Sequence, residues 1–345
     1  MAISAERIAS LVKLGRYFEA NNSEWQEVCE RAERMNAWFS QEYIRLAVSN
    51  IAQQFLQEDK INSWLSAYPK LCNDARPKPT VGLVMAGNIP LVGFHDFLCI
   101  FIAGFPLRVK LSSKDTVLWQ HIFRQLESWY PAFDLQVQTG EMLKGCDAYI
   151  ATGSNNSSRY FEQYFQKYPH IIRRNRTSVA MLDGTETDEE LTLLASDAAT
   201  YFGLGCRNVT KIYVPEGYDF TRLLPFFNAY AHHFDHNKYK NNYDYQLAIY
   251  LLNKQHYMTN GSILLVENES PFAPIGVLHY GYYQNKEPLL EQLKADGALQ
   301  CICSNTATAN ADKVVVPFGA NQKPSLFDYA DGVDTMGFLE GLLSS

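Results

Sequence analysis

Apolar residues recur at helical spacing in the first 70 or so positions, with Ile44, Val48, Ile51 and Phe55 three or four residues apart. This spacing predicts a packed helical stripe, and Ser23 with Gln26 predicts a capping box at a helix start. Pro77-Lys78-Pro79 then breaks the pattern and reads as a linker. Beyond it, short apolar runs alternate with longer amphipathic stretches. Strands are expected over 81–85, 107–111, 135–137 and 148–151, with helices over 91–102, 116–129 and 159–165. After Thr177 the rhythm restarts: a strand over 179–182, a helix over 188–202 and a strand over 211–214. Further βα segments are expected over 262–266, 276–279 and 289–296, and the run 314–317 closes the set. The alternation predicts an α/β chain in four parts: a helical N-terminal segment (1–76), a Rossmann-like parallel-sheet dinucleotide-binding domain (77–176), a second α/β domain (177–325) and a C-terminal tail (326–345).

Composition narrows the class of protein. The 345 residues are 47% hydrophobic and 19% charged, enough to build a sizeable core. Net charge is −7 and the sequence pI is near 5.7, which disfavours a broad phosphate-tracking face and therefore nucleic acid as partner. The seven cysteines are odd in number, scattered and without a CxxC pair, as expected of a reducing compartment. Met1 to Gly15 lacks a continuous apolar core, so no secretory signal is evident. The most apolar stretch, 91–107, is interrupted by Gly93, His95, Asp96 and Gly104 and is too broken to span a bilayer. These features together predict a cytoplasmic protein.

Candidate chemistry concentrates at element boundaries. Gly203-Leu-Gly205-Cys206 lies between an expected helix and an expected strand, where a tight glycine turn offers free N–H groups beside a thiol. On the residues alone, an inert cysteine in a turn is the commoner reading, since most free cysteines are structural. Gly87-Asn88-Ile-Pro90 follows the first strand of the sheet, where ligand sites gather, and the Asn88 amide is a candidate oxyanion donor or simply a turn asparagine. Lys110, Ser113 and Lys114 follow the second strand, where a cofactor ribose or phosphate would lie, although solvated strand-end lysines look the same. Thr152-Gly153-Ser154 joins a strand to a helix whose amide-rich start suits a phosphate. His232, His233 and His236 lack a further ligand set, so no metal is expected. Cys301 and Cys303 share one face of an expected strand, and the tyrosines between Tyr239 and Tyr283 read as core or as the lining of an acyl pocket.

The ordered series Asn88-Ile-Pro90, Val109-Lys110, Thr152-Gly153-Ser154 and Gly205-Cys206 resembles the aldehyde dehydrogenase superfamily over roughly residues 77 to 320. Within it, the chain is most similar to the acyl-CoA reductase branch related to the LuxC fatty-acid reductase. The resemblance implies that Cys206 is the catalytic thiol and that Asn88 forms the oxyanion hole with the Cys206 N–H. It also implies that Lys110 holds the cofactor ribose, that Gly153 and Ser154 lie along the pyrophosphate, and that Glu269 contacts the nicotinamide ribose. Glu269 stands one residue too far from Phe272 for the usual pattern. A homodimer is the assembly the family suggests.

Two departures sharpen this expectation. Oxidising members carry a water-activating glutamate upstream of the cysteine, whereas the corresponding stretch, Arg173-Arg-Asn175-Arg-Thr177-Ser178, has no acidic residue. An acyl-enzyme without a base for water survives to be reduced or transferred, so the expected reaction is reduction of an acyl-CoA or other acyl thioester to an aldehyde. An acyl-phosphate reductase, or a non-catalytic scaffold that keeps the fold, are the alternatives. Arg173, Arg174 and Arg176 are candidates for binding cofactor or coenzyme A phosphates, or form a solvated charge run. NAD-preferring relatives often place a glutamate three residues after the ribose lysine; Ser113 followed by Lys114 stands there instead and favours NADPH, with NADH as the alternative.

Overall fold

The computed structural model describes residues 4–20, 22–73, 76–153, 155–305 and 315–344. The chain divides into two compact units, one of residues 1–175 with 324–345 and the other of residues 176–323.

The first unit begins with helices α1 (Ala5–Glu19), α2 (Ser23–Met35), α3 (Gln41–Gln54), α4 (Glu58–Ser66) and α5 (Pro69–Asn73). Ile44, Val48, Ile51 and Phe55 are buried, as their spacing predicts. The expected capping box is displaced by one residue: Ser23 is already helical, and the cap is Asn22, whose side chain accepts from the Glu24 N–H at 2.9 Å. Strands and helices then alternate as β1 (Val81–Val84), α6 (Phe94–Ile102), β2 (Leu107–Lys110), α7 (Thr116–Trp129), α8 (Phe133–Gln136), β3 (Val137–Thr139), β4 (Ala148–Thr152), α9 (Asn155–Phe165) and β5 (His170–Arg173).

The five strands form one parallel sheet in the order β3-β2-β1-β4-β5. The chain winds outward from β1 through β2 to β3, then crosses to the other side of β1 for β4 and β5. That reversal makes a topological switch point at the carboxyl ends of β1 and β4, where open α/β sheets bind ligands. The strand expected over 135–137 is instead the end of α8 followed by β3. Apolar residues from α1–α5, from the sheet and from Leu326, Tyr329, Met336 and Leu339 share a single core. Trp64 and Tyr68 tie the C-terminal tail to the helical segment: the Trp64 indole donates to the Tyr329 hydroxyl at 2.8 Å and the Tyr68 hydroxyl to Asp334 at 2.9 Å.

The second unit contains β6 (Thr177–Met181), α10 (Asp188–Ala199), β7 (Val209–Pro215), α11 (Phe220–Leu223), α12 (Asn237–Leu252), β8 (Met258–Thr259), β9 (Leu264–Glu267), β10 (Val277–Tyr283), α13 (Lys286–Ala295), β11 (Leu299–Ser304) and β12 (Val315–Val316). Residue 314 of the strand expected there lies outside the described residues. The sheet order is β12-β11-β6-β7-β10-β9-β8, parallel except for β8 against β9. β6 and β11 are buried at every position, their polar members Thr177, Ser178, Gln300 and Ser304 included, as in a sheet covered on both faces. Thr187 and Glu190 form a reciprocal capping box at the start of α10. The last helix, α14 (Thr335–Gly341), returns to the first unit. Among the described residues no helix is long and apolar enough to cross a membrane.

Candidate active site

Cys206 sits in a turn between α10 and β7 and is half-buried. Three successive residues before it adopt the left-handed conformation: Tyr201 (φ 55°), Phe202 (φ 56°) and Gly203 (φ 75°). Only the glycine does so freely; each of the others costs about 1–2 kcal/mol. Packing and hydrogen bonding hold the strained turn. The Phe202 ring lies 4.5 Å from that of His233 and 4.8 Å from that of His236. Asn208 is fully buried: its side-chain oxygen accepts the Gly205 N–H at 2.8 Å, and its amide faces the carbonyls of Asp197, Ala198 and Thr200. One side chain thus closes the carboxyl end of α10 and fixes the backbone just before the thiol.

Ser178, also buried, donates to the Cys206 carbonyl at 3.1 Å and accepts the Cys301 N–H at 3.2 Å. Burial pushes the thiols of Cys29, Cys72, Cys99, Cys146 and Cys303 above the ordinary range, so these five are poor nucleophiles at neutral pH. Two of the three histidines, His233 and His236, pack against the same turn. Burial, then the neighbouring His232 and His236, lowers His233 to about 3, and His236 caps α12 through the Tyr239 N–H. The buried Tyr239 and Tyr243 and the half-buried Tyr283 spend their hydroxyls on Ser262, Thr259 and Leu182. The cavity beside them, lined in part by Phe202, Phe227 and Leu278, measures about 30 Å³, room for a water or two but not for an acyl chain.

Glu269 lies on the loop after β9 with its side chain exposed. Three consecutive carbonyls of this loop are captured from the central strands. Lys211 Nζ donates to Glu269 O at 2.7 Å, His279 Nδ1 to Ser270 O at 2.9 Å, and Thr210 to Pro271 O. A carbonyl only accepts, so His279 carries its proton on Nδ1. Burial lowers the pKa of both Lys211 and His279, which face each other across β7 and β10.

Asp197, on α10, is buried and accepts the Gly319 N–H at 2.7 Å and the Cys303 thiol at 3.7 Å. Burial outweighs these bonds and raises its carboxyl to about 6. The folded state therefore binds this proton more tightly than the unfolded chain, and the associated stability is lost as pH rises from about 4 to 6. His233 acts with the opposite sign, gaining stability from about 3 to 6.5 as the unfolded imidazole loses its proton. Asp197→Asn separates the two. Its stability relative to the unsubstituted protein should climb by up to about 3 kcal/mol between pH 4 and 6 and then level off. Denaturant unfolding at pH 4, 5, 6 and 7 reads this directly, and a flat difference would refute the raised carboxyl.

In the first unit, an open pocket of about 600 Å³ lies at the carboxyl ends of β1, β2 and β3. Lys110 and Ser113 line it, together with Met85, Thr116, Gln120 and Glu141. Lys114 is exposed on the adjoining loop, and its backbone N–H and carbonyl bond to Ser112 Oγ and the Asn36 amide. Asn88 is exposed on the β1–α6 loop. That loop is set by Leu91, left-handed at φ 55°, whose N–H is held at 2.8 Å by the buried Asp115 carboxyl. Gly87 permits its close approach to the β2–α7 loop: an added Cβ would sit 2.5 Å from Ser112 Oγ and 2.8 Å from Ser112 Cβ. Gly153 has a packing role, since a Cβ there would stand 2.9 Å from both Ser157 and Phe161 on α9. Ser154 lies outside the described residues.

Arg173 is not available to a phosphate. It is buried, donates to both oxygens of Asp96 (3.0 and 2.7 Å) and to Thr335 at 2.8 Å, and bonds the Ala330 carbonyl. Burial alone would raise the Asp96 carboxyl, but the guanidinium overrides it and holds the group below its usual range. Arg174 is exposed and pairs with Glu162, and Arg176 donates to the Leu299 carbonyl. Asn208, Ser178 and Glu141 escaped sequence reasoning. An asparagine two residues past the cysteine was the one local cue; Glu141 was hidden because β3 begins two residues later than expected.

No protein-family model matches the sequence, and no curated protein matches it. Solved structures do. Aldehyde dehydrogenase 21 of Physcomitrella patens, determined with its reaction product succinate, shares 12% identity and a TM-score of 0.70 over 98% of this chain and 84% of its own. The fold is that of the aldehyde dehydrogenases. The succinic semialdehyde dehydrogenase of Streptococcus pyogenes, bound to NADP+, superposes with a TM-score of 0.64 at 13% identity, covering 88% of this chain and 77% of its own. An aldehyde dehydrogenase of Mycobacterium tuberculosis with NAD+ gives 0.61 at 12% identity, covering 88% and 73%. In the aldehyde dehydrogenase fold as this chain builds it, the pocket at the ends of β1, β2 and β3 belongs to the first unit and the strained Cys206 turn to the second.

Proposed function

We propose that the protein reduces an acyl-CoA or related acyl thioester to an aldehyde with NAD(P)H, as in the LuxC-related branch. The observation that carries this reading is the Cys206 turn, in which three left-handed residues, the Asn208 clip and the Ser178 bond position one half-buried thiol. The Cys206 thiolate attacks the thioester carbonyl, and the carbon–sulfur bond to coenzyme A breaks as the thiol leaves. The Asn88 amide and the Cys206 N–H donate to the oxyanion that forms. No carboxylate occurs between residues 173 and 178 to activate water there, so the new thioester persists. A reduced nicotinamide, when bound, would supply the hydride to the enzyme-bound thioester carbon; the Cys206 sulfur then leaves as thiolate and the aldehyde departs.

The pocket beside β1, β2 and β3 fits such a cofactor, with Lys110 for the ribose and the narrow Gly87 approach leaving no room for a side chain. Gly153 and Ser154 are assigned to the pyrophosphate and Glu269 to the nicotinamide ribose, the latter on a loop whose carbonyls are pinned. Ser113 and the neighbouring Lys114 favour NADPH. The test is NADPH oxidation with a panel of acyl-CoAs and the matching acyl phosphates, with aldehyde measured directly. Turnover on acyl phosphates alone would replace the thioester substrate, and turnover on neither would leave a scaffold.

Gly87→Ala offers a check on the geometry. The added methyl pushes the Asn88 loop from Ser112, and turnover should fall about tenfold or more. Gly87→Ala/Ser112→Gly removes the clash and should recover most of the loss in steady-state kinetics; no recovery would detach the loop from the chemistry.

A further inference from the structure

We infer that Glu141 determines how far the proposed cofactor site discriminates between nicotinamide cofactors with and without a 2′-phosphate, an inference that rests on the cofactor reading of this pocket. The Gly140 N–H donates to Val109 O at 3.0 Å, continuing the β2–β3 pairing one residue past the strand and holding Glu141 at the same sheet edge as Lys110. Among the described residues lining the pocket, Lys110 and Glu141 are the charged ones, while Ser113, Thr116 and Gln120 are neutral. Glu141 is exposed, so no internal packing fixes its charge for structural ends.

The two cofactors present different groups to such a pair. A ribose with free 2′- and 3′-hydroxyls offers two donors, and a carboxylate accepts from both. A 2′-phosphate removes one donor and adds negative charge, which the carboxylate repels. Lys110 attracts either cofactor, and Lys114, outside the lining, adds attraction for the phosphate. Glu141 therefore opposes the preference that Ser113 and Lys114 create and keeps the site open to both cofactors.

Equilibrium titration of the full chain with NADPH and NADH, followed by cofactor fluorescence, tests this. In Glu141→Gln the ratio of the NADH to the NADPH dissociation constant should rise about tenfold or more, with the melting temperature unchanged. Glu141→Asp keeps the charge and should hold the ratio within about threefold of the unsubstituted protein. A ratio that Glu141→Gln does not move, with both cofactors still binding, overturns the role of Glu141 alone. Failure of the unsubstituted protein to bind either cofactor overturns the cofactor reading, and this inference with it.

Discussion

A Cys206→Ala protein is expected to lose acyl-thioester-dependent NADPH oxidation by about a thousandfold or more while folding normally. The size follows from the chemistry. Without the thiol no covalent acyl intermediate forms, and direct hydride delivery to a free thioester gains little from the site. Five of the other cysteines have thiols raised by burial and the sixth, Cys301, is buried, which disfavours substitution by any of them. The half-buried side chain makes only modest packing contributions, and the turn is held through its backbone by Asn208 and Ser178. The melting temperature should therefore change little. In the intact protein iodoacetamide should label Cys206 first, and mass spectrometry of the digested adduct would identify it. Residual turnover within tenfold of the unsubstituted enzyme would end the thioester mechanism.

Arg173→Met should cost about 3–5 kcal/mol of stability, the largest effect expected of any substitution outside the core. The substitution strands the Asp96 carboxylate, which is buried and which the guanidinium does most to keep ionised. It also releases Thr335 and the Ala330 carbonyl, untying the C-terminal tail from the end of β5. Adding Asp96→Asn removes the orphaned charge, so the double variant should regain at least about 2 kcal/mol. Arg174→Ala, by contrast, breaks an exposed pair with Glu162 and should shift stability by about 0.5 kcal/mol or less. Urea unfolding of the four proteins gives the full comparison. If Arg173→Met matched Arg174→Ala, the buried pair would have no structural role, and phosphate binding by Arg173 would return as the better explanation of the basic run.

Local features of the chain marked out much of this protein. Helical spacing placed Ile44, Val48, Ile51 and Phe55 in a core, and the strand–helix rhythm after Pro79 foretold parallel sheets, because apolar periodicity is written in residues that are neighbours along the chain. The glycine turn at Cys206 and the strand-end position of Lys110 were legible for the same reason. Two of the short strands were less so: β5, with its exposed His170, was not read, and β3, which begins where a four-residue helix stops, was read two residues early. The roles of Arg173, Asn208 and Glu141 were decided only in three dimensions. Arg173 looked like its exposed neighbours until folding brought Asp96, 77 positions earlier, against it. Asn208 reads as a turn residue until two carbonyls of α10 and that of the next residue, Thr200, converge on its amide. Glu141 became part of a pocket through the pairing of β2 with β3. A charge or an amide takes its function from whatever lies within about 3 Å of it, and between residues distant in sequence that proximity is created by folding alone.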